Sequence, residues 1–380
     1  MKKHFLVAPG PTPVPEQARL AMAESLLHHR GPDFKAIFEE VRAQLKWVFQ
    51  TEAEVLALTC SGTGAFEAAM VNFTKRSDTV IVIGGGKFGE RWGEVGTSYG
   101  MNVVEVPVEW GKVVDLNALQ HALDKNPNAS MVTLSVSETS TGVLHPLSDI
   151  VELTQKHGKA LLAVDGITAV GVHDIPMDEM GIDILVSGSQ KAFSIPPGLG
   201  FVAASQRAWS RADASDHPRY YFDLRRELKN HLKNQTAFTP AISLIVGLRV
   251  VLRMMQEEGL EAIFDRHRVL AEATRAGVQA LGLGIFPEVP ANSVTAASVP
   301  DGVNASGLVS FMRKDGVTIA AGQDRLKDTT IRIGHLGYFD STDIVVALAS
   351  LERALHAQGQ PIEFGSSIRA LQIILAGEVK

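Results

Sequence analysis

Apolar positions along this chain follow two rhythms. After a proline-rich entry, residues 15–49 carry helical periodicity. In DFKAIFEEVRAQLKWVF, the side chains of Phe34, Ile37, Phe38, Val41, Leu45 and Val48 fall on one stripe. From residue 55 the rhythm changes. Seven short runs, at 55–59, 79–84, 102–108, 130–136, 160–166, 183–189 and 198–205, are apolar without alternation and are separated by helical segments. A strand with no polar face is covered on both sides, so these runs predict an α/β fold with a mainly parallel seven-stranded sheet. The last run follows only a Pro-Gly turn, which suits an antiparallel neighbour. From about residue 260 the order becomes helix, strand and helix, then GVTIAAG, TTIRIGHLG and a final helix in STDIVVALASLERALHAQ. That is the pattern of a smaller C-terminal α+β domain. The helix at 240–259 is more apolar than a surface helix requires and is expected to join the two. The expected division is an entry segment at 1–20, a large domain at 21–259 and a small domain at 260–380.

Composition narrows the partners. A chain of 380 residues with 45% hydrophobic content buries a large core, and more than one lobe is expected. The formal net charge is -6 with both signs interspersed, which leaves no electrostatic footprint for nucleic acid or an anionic membrane. The single cysteine, Cys60, excludes an internal disulfide framework and a cysteine zinc site, and fits a reducing compartment. The start MKKHFLVAPGPTPVP has too short an apolar run for a signal peptide, and no stretch approaches the roughly 20 apolar residues of a membrane span. A cytoplasmic enzyme acting on small molecules is expected. His28 and His29 point apart on a helix and lack a third ligand at matching spacing, so no metal site is expected.

Several segments carry candidate chemistry. TCSGTGAFEAAMVNF places a small-residue turn, Ser61 to Gly64, between a strand and a helix. Free amides at such a helix start form an anion site, and glycines let a phosphate approach. The Gly-Lys-Ser/Thr of a nucleotide P-loop is missing. Gly84, Gly86 and Gly89 match a G-x-G-x-x-G pattern after a strand, which supports a nicotinamide- or flavin-binding alternative. That alternative needs a helix beginning in the loop, and the glycines of ERWGEVGTSYG disfavour one. Asp165 ends the run LLAVD and Lys191 follows the next run, DILVSGS, so opposite charges lie at the carboxyl ends of two strands, where open α/β sheets bind ligands. Pyridoxal phosphate uses all three features: a lysine for covalent attachment, an acid for its ring nitrogen and a cradle for its phosphate. Arg332 alternates with Ile331 and Ile333, and its guanidinium suits a carboxylate.

Taken together, PGPTPVP, SGTG, SETSTGVLHPL, VDGITAVG, GSQKAFSIPPGLG and IRIGHLG resemble the class V aminotransferases of fold type I, in the alanine–glyoxylate and serine–pyruvate aminotransferase group. The resemblance covers nearly the whole chain. It implies a homodimeric pyridoxal-phosphate enzyme in which Lys191 binds the cofactor and Asp165 bonds its ring nitrogen. Thr63, Gly64 and Ala65 would fall in the phosphate cradle, and Gln190 would add a phosphate ligand. Phe88 would stack on the ring, and the Thr139 hydroxyl would reach the cofactor. Arg332 would bind the substrate carboxylate, with Gly10 and Arg30 near the entrance. The segment NQTAFTPAIS resembles the part lent to a neighbouring subunit's phosphate, with Thr236 and Thr239 both candidates. Alanine or serine as donor, with glyoxylate or pyruvate as acceptor, is implied; ureidoglycine and aminoethylphosphonate are alternatives, as is a non-catalytic subunit on the same fold. No cysteine lies in the C-terminal half, which sets the chain apart from desulfurases of the class.

Overall fold

The computed structural model describes residues 2–378. All seven apolar runs are strands of one sheet: β1 (Val55–Leu58), β2 (Thr79–Ile83), β3 (Asn102–Val106), β4 (Met131–Ser135), β5 (Leu161–Asp165), β6 (Ile184–Gly188) and β7 (Gly200–Ala204). Their order across the sheet is β1-β7-β6-β5-β4-β2-β3, with β7 antiparallel to both its neighbours and the other pairs parallel.

The absence of alternation has a direct cause. Val80 and Val82 enter an apolar core on one face of the sheet, whereas Ile81 and Ile83 enter the core on the other. Successive side chains point to opposite faces, so a sheet covered on both sides needs apolar residues at every position. Helices α1 (Glu16–Met22) and α2 (Pro32–Phe49), together with the helix Ile242–Glu258, contribute to one core. Helix α3 (Gly62–Phe73) and helix α4 (Lys87–Ser98) serve the other, where Phe66 stacks on Trp92 at 4.3 Å.

A second sheet of four antiparallel strands follows Gly259: β8 (Gly284–Ile285), β9 (Val294–Ser298), β10 (Ala320–Ala321) and β11 (Thr330–Gly334), in the order β8-β9-β11-β10. Its core takes in Val7, and the short strand Phe5–Leu6 pairs with Val317–Thr318. The chain's first residues therefore belong to the C-terminal core. The C-terminal segment, without any functional expectation, forms the helix Ser366–Glu378 and buries Leu371 in that core. Glu352 anchors its start by accepting from the backbone N–H of Gly365 and Ser367. Among the described residues, no helix is long and apolar enough to cross a membrane.

One expectation is corrected. The glycine-rich run after β2 is helical, and its glycines are what allow it. A Cβ on Gly89 would lie 2.7 Å from the Gly84 carbonyl oxygen, and one on Gly96 would lie 3.0 Å from Val103 Cγ2. Close packing of α4 against the sheet outweighs a propensity cost of about 1 kcal/mol per glycine. The two kinds of glycine in α4 separate in a simple test. Gly93→Ala meets nothing nearer than 3.5 Å and is expected to stabilise by up to about 1 kcal/mol. Gly89→Ala is expected to destabilise by about 1–3 kcal/mol through overpacking. Thermal unfolding followed by circular dichroism reads the opposite signs, and a lower midpoint for Gly93→Ala would contradict this account.

Candidate active site

Lys191 sits three residues beyond the end of β6, in a turn braced from within. The Ser189 hydroxyl donates to the Pro196 carbonyl at 2.8 Å and accepts from the Leu199 N–H at 3.2 Å. From the entry segment, Thr12 adds bonds to the backbone carbonyls of Gln190 and Lys191. The lysine Nζ donates to the Pro9 carbonyl at 2.6 Å. Gly10 closes over the amine: a Cβ there would lie 2.3 Å from Nζ, and its φ of +132° is unfavourable for other residues. Burial, reinforced by the Arg332 charge and opposed by Asp165, lowers the amine pKa to about 8.

Asp165 ends β5 and is buried. Register places it opposite Ser135 on β4, whose hydroxyl donates to Oδ2 at 2.6 Å, while the Ile167 N–H donates to Oδ1 at 2.8 Å. Burial outweighs these bonds and raises the pKa to about 7. A cation placed against this carboxyl would restore its charge.

Helix α3 supplies amides. Its N-cap Ser61 makes no side-chain cap, and the Ala65 N–H already bonds to the Ser61 carbonyl at 3.2 Å. The free amides of the first turn are therefore those of Gly62, Thr63 and Gly64, and Ala65 contributes no free amide. The glycines do not make room for a ligand as expected. A Cβ on Gly62 would meet Ile167 Cδ1 at 2.2 Å, and one on Gly64 would meet Cys60 Cβ at 2.7 Å, so protein packing fills both places. Burial pushes the Cys60 thiol up to about 12, which leaves it inert behind the turn. Gln190 carries a buried Oε1 with no hydrogen-bond partner, close to Gly188 at the end of β6.

Phe88 lies in the first turn of α4, with the Arg91 guanidinium 4.9 Å from its ring centroid. Arg91 also donates to the Thr63 hydroxyl at 3.3 Å and so connects the two helix starts. This arginine escaped the sequence reading, although it lies one helical turn after Phe88. The amides that a pyrophosphate would need at α4 are already taken. Lys87 N–H donates to Ser140 Oγ, and the N–H groups of Phe88 and Gly89 donate to Glu138 Oε2. The glycine pattern thus opens a helix without offering a dinucleotide site.

Arg332 on β11 is buried rather than solvated. Its Nε donates to the Ala321 carbonyl at 3.0 Å and its Nη1 to the Thr139 carbonyl at 2.9 Å. Thr139 in turn shares a hydroxyl–hydroxyl bond of 3.0 Å with Thr168, in the loop after Asp165. Gly10, Asp165, Thr139, Gln190, Lys191 and Arg332 are thereby linked around one place. Thr236 and Thr239 are not among them. They line a separate hollow with Thr59, Tyr221, Glu227 and Phe238. Arg30, expected near the entrance, instead donates to Gln235 Oε1 and the Thr236 carbonyl and holds that segment.

A lysine amine of lowered pKa, a buried acid and free helix-start amides match the aldehyde, ring nitrogen and phosphate of pyridoxal phosphate, with the side-chain amide of Gln190 close to those helix-start amides. The aminotransferase class-V family model matches residues 14–344. The soluble hydrogenase 42 kDa subunit of Anabaena cylindrica is 44% identical, covering 93% of this chain and 93% of that one. The L-aspartate–glyoxylate aminotransferase of Paracoccus denitrificans is 34% identical, covering 96% and 94%. The serine–glyoxylate aminotransferase of Arabidopsis thaliana is 33% identical, covering 98% and 95%. The crystal structure of ureidoglycine–glyoxylate aminotransferase from Bacillus subtilis superposes with a TM-score of 0.92 at 28% identity, covering 99% of each chain. With this match and this site, the chain belongs to the class V aminotransferases, the pyridoxal-phosphate-dependent transaminases of fold type I.

Proposed function

We propose that this is a cytoplasmic, homodimeric transaminase that moves the amino group of a small amino acid, alanine or serine, to glyoxylate or pyruvate. The observation that carries the reading is Arg332. It is a buried guanidinium whose Nε and Nη1 are held by backbone carbonyls, while Nη2 makes no hydrogen bond among the described residues. A fixed, desolvated guanidinium with a spare donor beside a lysine is suited to an amino acid's carboxylate. The ladder sets Ala296 and Ala320 opposite Arg332, which supports a small substrate. Other cations on the elements around the site are engaged: Lys87 with Asp324 at 2.8 Å, Arg91 with Thr63 and Phe88, Arg30 with Gln235. Three named relatives share glyoxylate as the acceptor in their names, while their donors differ.

In this reading the free amides of α3, the Thr63 hydroxyl and Gln190 hold the phosphate, Phe88 covers the ring, and the Thr139 hydroxyl lies beside it. Pyridoxal phosphate supplies an aldehyde for amine attachment and a ring that draws electron density from the substrate Cα. Lys191 would hold the cofactor through that aldehyde, and its amine would serve as the general base at the substrate Cα. Asp165 holds the proton on the ring nitrogen, and Arg332 orients the carboxylate. Thr236 and Thr239 would act across the dimer. Tyr220 and Tyr221, 70% and 44% exposed beside Phe238, give that segment an apolar surface to cover.

The similarity to a hydrogenase subunit favours a second reading, an accessory subunit on this fold. One cysteine supplies no four-thiolate set for an iron–sulfur cluster. Turnover decides between the readings. The visible absorbance of the protein loaded with pyridoxal phosphate should change on addition of L-alanine or L-serine and return with glyoxylate or pyruvate. A band indifferent to these and to ureidoglycine, aspartate and aminoethylphosphonate would favour the accessory role.

Two further outcomes are expected. Arg332→Lys keeps the charge and loses the planar fork, so kcat/KM for the donor should fall roughly 10- to 100-fold while cofactor binding persists. An unchanged kcat/KM would remove Arg332 from substrate binding. The rate at which the apoprotein attaches pyridoxal phosphate should rise about tenfold per pH unit below about 8 and level off above it, because only the neutral amine attacks. Stopped-flow absorbance across this range checks the sign, and a rate that falls with rising pH would contradict it.

A further inference from the structure

Glu138 is completely buried, and no step above uses it directly, although its charge bears on Arg332 and Asp165. Its Oε2 accepts from the N–H groups of Phe88 at 3.0 Å and Gly89 at 2.8 Å. Its Oε1 accepts from the N–H of Ser140 at 3.0 Å and from the Ser140 hydroxyl at 2.6 Å. That hydroxyl also accepts from the Lys87 N–H at 3.1 Å. Gly86 completes the contact, since a Cβ there would lie 2.4 Å from both Cγ and Cδ of Glu138. A carboxylate at this end of α4 also complements the helix dipole. Burial raises the Glu138 pKa nonetheless, against the four hydrogen bonds that hold it down. A surface cap such as serine would satisfy a helix start with less desolvation.

The placement explains what this carboxylate provides. It holds the amide of Phe88 itself, so the ring begins from a backbone point that is fixed from behind. The adjoining residue, Thr139, gives its carbonyl to Arg332 and its hydroxyl to Thr168. The turn 138–142 is closed by the Gly142 N–H on the Glu138 carbonyl at 2.7 Å. One short turn therefore references Phe88, Arg332 and the loop after Asp165 to a common origin.

We infer that Glu138 is a positioning residue: it fixes the Phe88 ring against the cofactor and, through its own turn, keeps that ring in register with Arg332. The inference rests on the proposed stacking role of Phe88. Glu138→Gln preserves shape but turns one acceptor into a donor facing donors, so part of the anchor is lost.

A double-mutant cycle on pyridoxal phosphate affinity tests this. Apoprotein is titrated with the cofactor for the native chain, Glu138→Gln, Phe88→Ala and the pair. Glu138→Gln should weaken binding on the order of tenfold and reduce the visible circular dichroism of the bound cofactor, with far-ultraviolet dichroism unchanged. In the Phe88→Ala background the same change should cost less than about twofold, because the ring it positions is gone. Independent losses that multiply, or native affinity and dichroism in Glu138→Gln, would overturn the inference. If Glu138→Gln does not fold, Ser140→Ala runs the same cycle and is held to the same criterion. A native chain that binds no pyridoxal phosphate would overturn the functional reading with it; a cofactor bound tightly with Glu138 and Phe88 uncoupled would overturn this inference alone.

Discussion

Desolvation at the carboxyl ends of β5 and β6 governs the rest of the site. Lys191 and Asp165 have opposite charges and feel each other, and a simple ion pair would raise the lysine pKa and lower that of the acid. Both move the other way, the lysine down to about 8 and the acid up to about 7. Burial therefore dominates attraction at both groups. The arrangement leaves the amine available as a nucleophile and the acid responsive to a cation, which is the condition a pyridine nitrogen and an aldehyde require. The entry segment maintains it, because the Pro9 carbonyl and Gly10 cover the amine.

The large sheet was legible because covering both faces removes alternation, a signature that helices and surface strands do not share. Lys191 and Asp165 were legible for a related reason: charges at the ends of such runs have nowhere buried to go except the ligand crevice. Helix α4 was misread because glycine propensity is a local quantity, whereas the space that Gly89 leaves for Gly84 is set by tertiary packing. Glu138 lies within the SETSTG motif but carries no signal of its role there, since the amides it accepts from lie about fifty positions earlier and only the fold brings them together. Gly62 and Gly64 carried the reverse lesson. Their small size serves Ile167 and Cys60, while their own amides, with that of Thr63, stay free at the helix start.

Contacts between the two sheets are as telling as either sheet alone. Arg332 bonds to Thr139, Lys87 pairs with Asp324, and Arg325 lies over Trp110 at 4.3 Å. The site is assembled where these meet, so that Arg332 and Phe88 come to it from opposite sides of the junction. Activity in such an arrangement depends on the junction holding its geometry, and the partly exposed pairs at its rim would weaken in salt before the buried Arg332 contact does.

The first residues of the chain bridge that junction as well. Phe5 and Leu6 are paired with Val317 and Thr318, while Thr12 is bonded to the backbone of Gln190 and Lys191. The few residues between these anchor points form a short strap with one end on each lobe. Because Gly10 lies directly on the lysine, the strap that joins the two cores is also the cover over the amine.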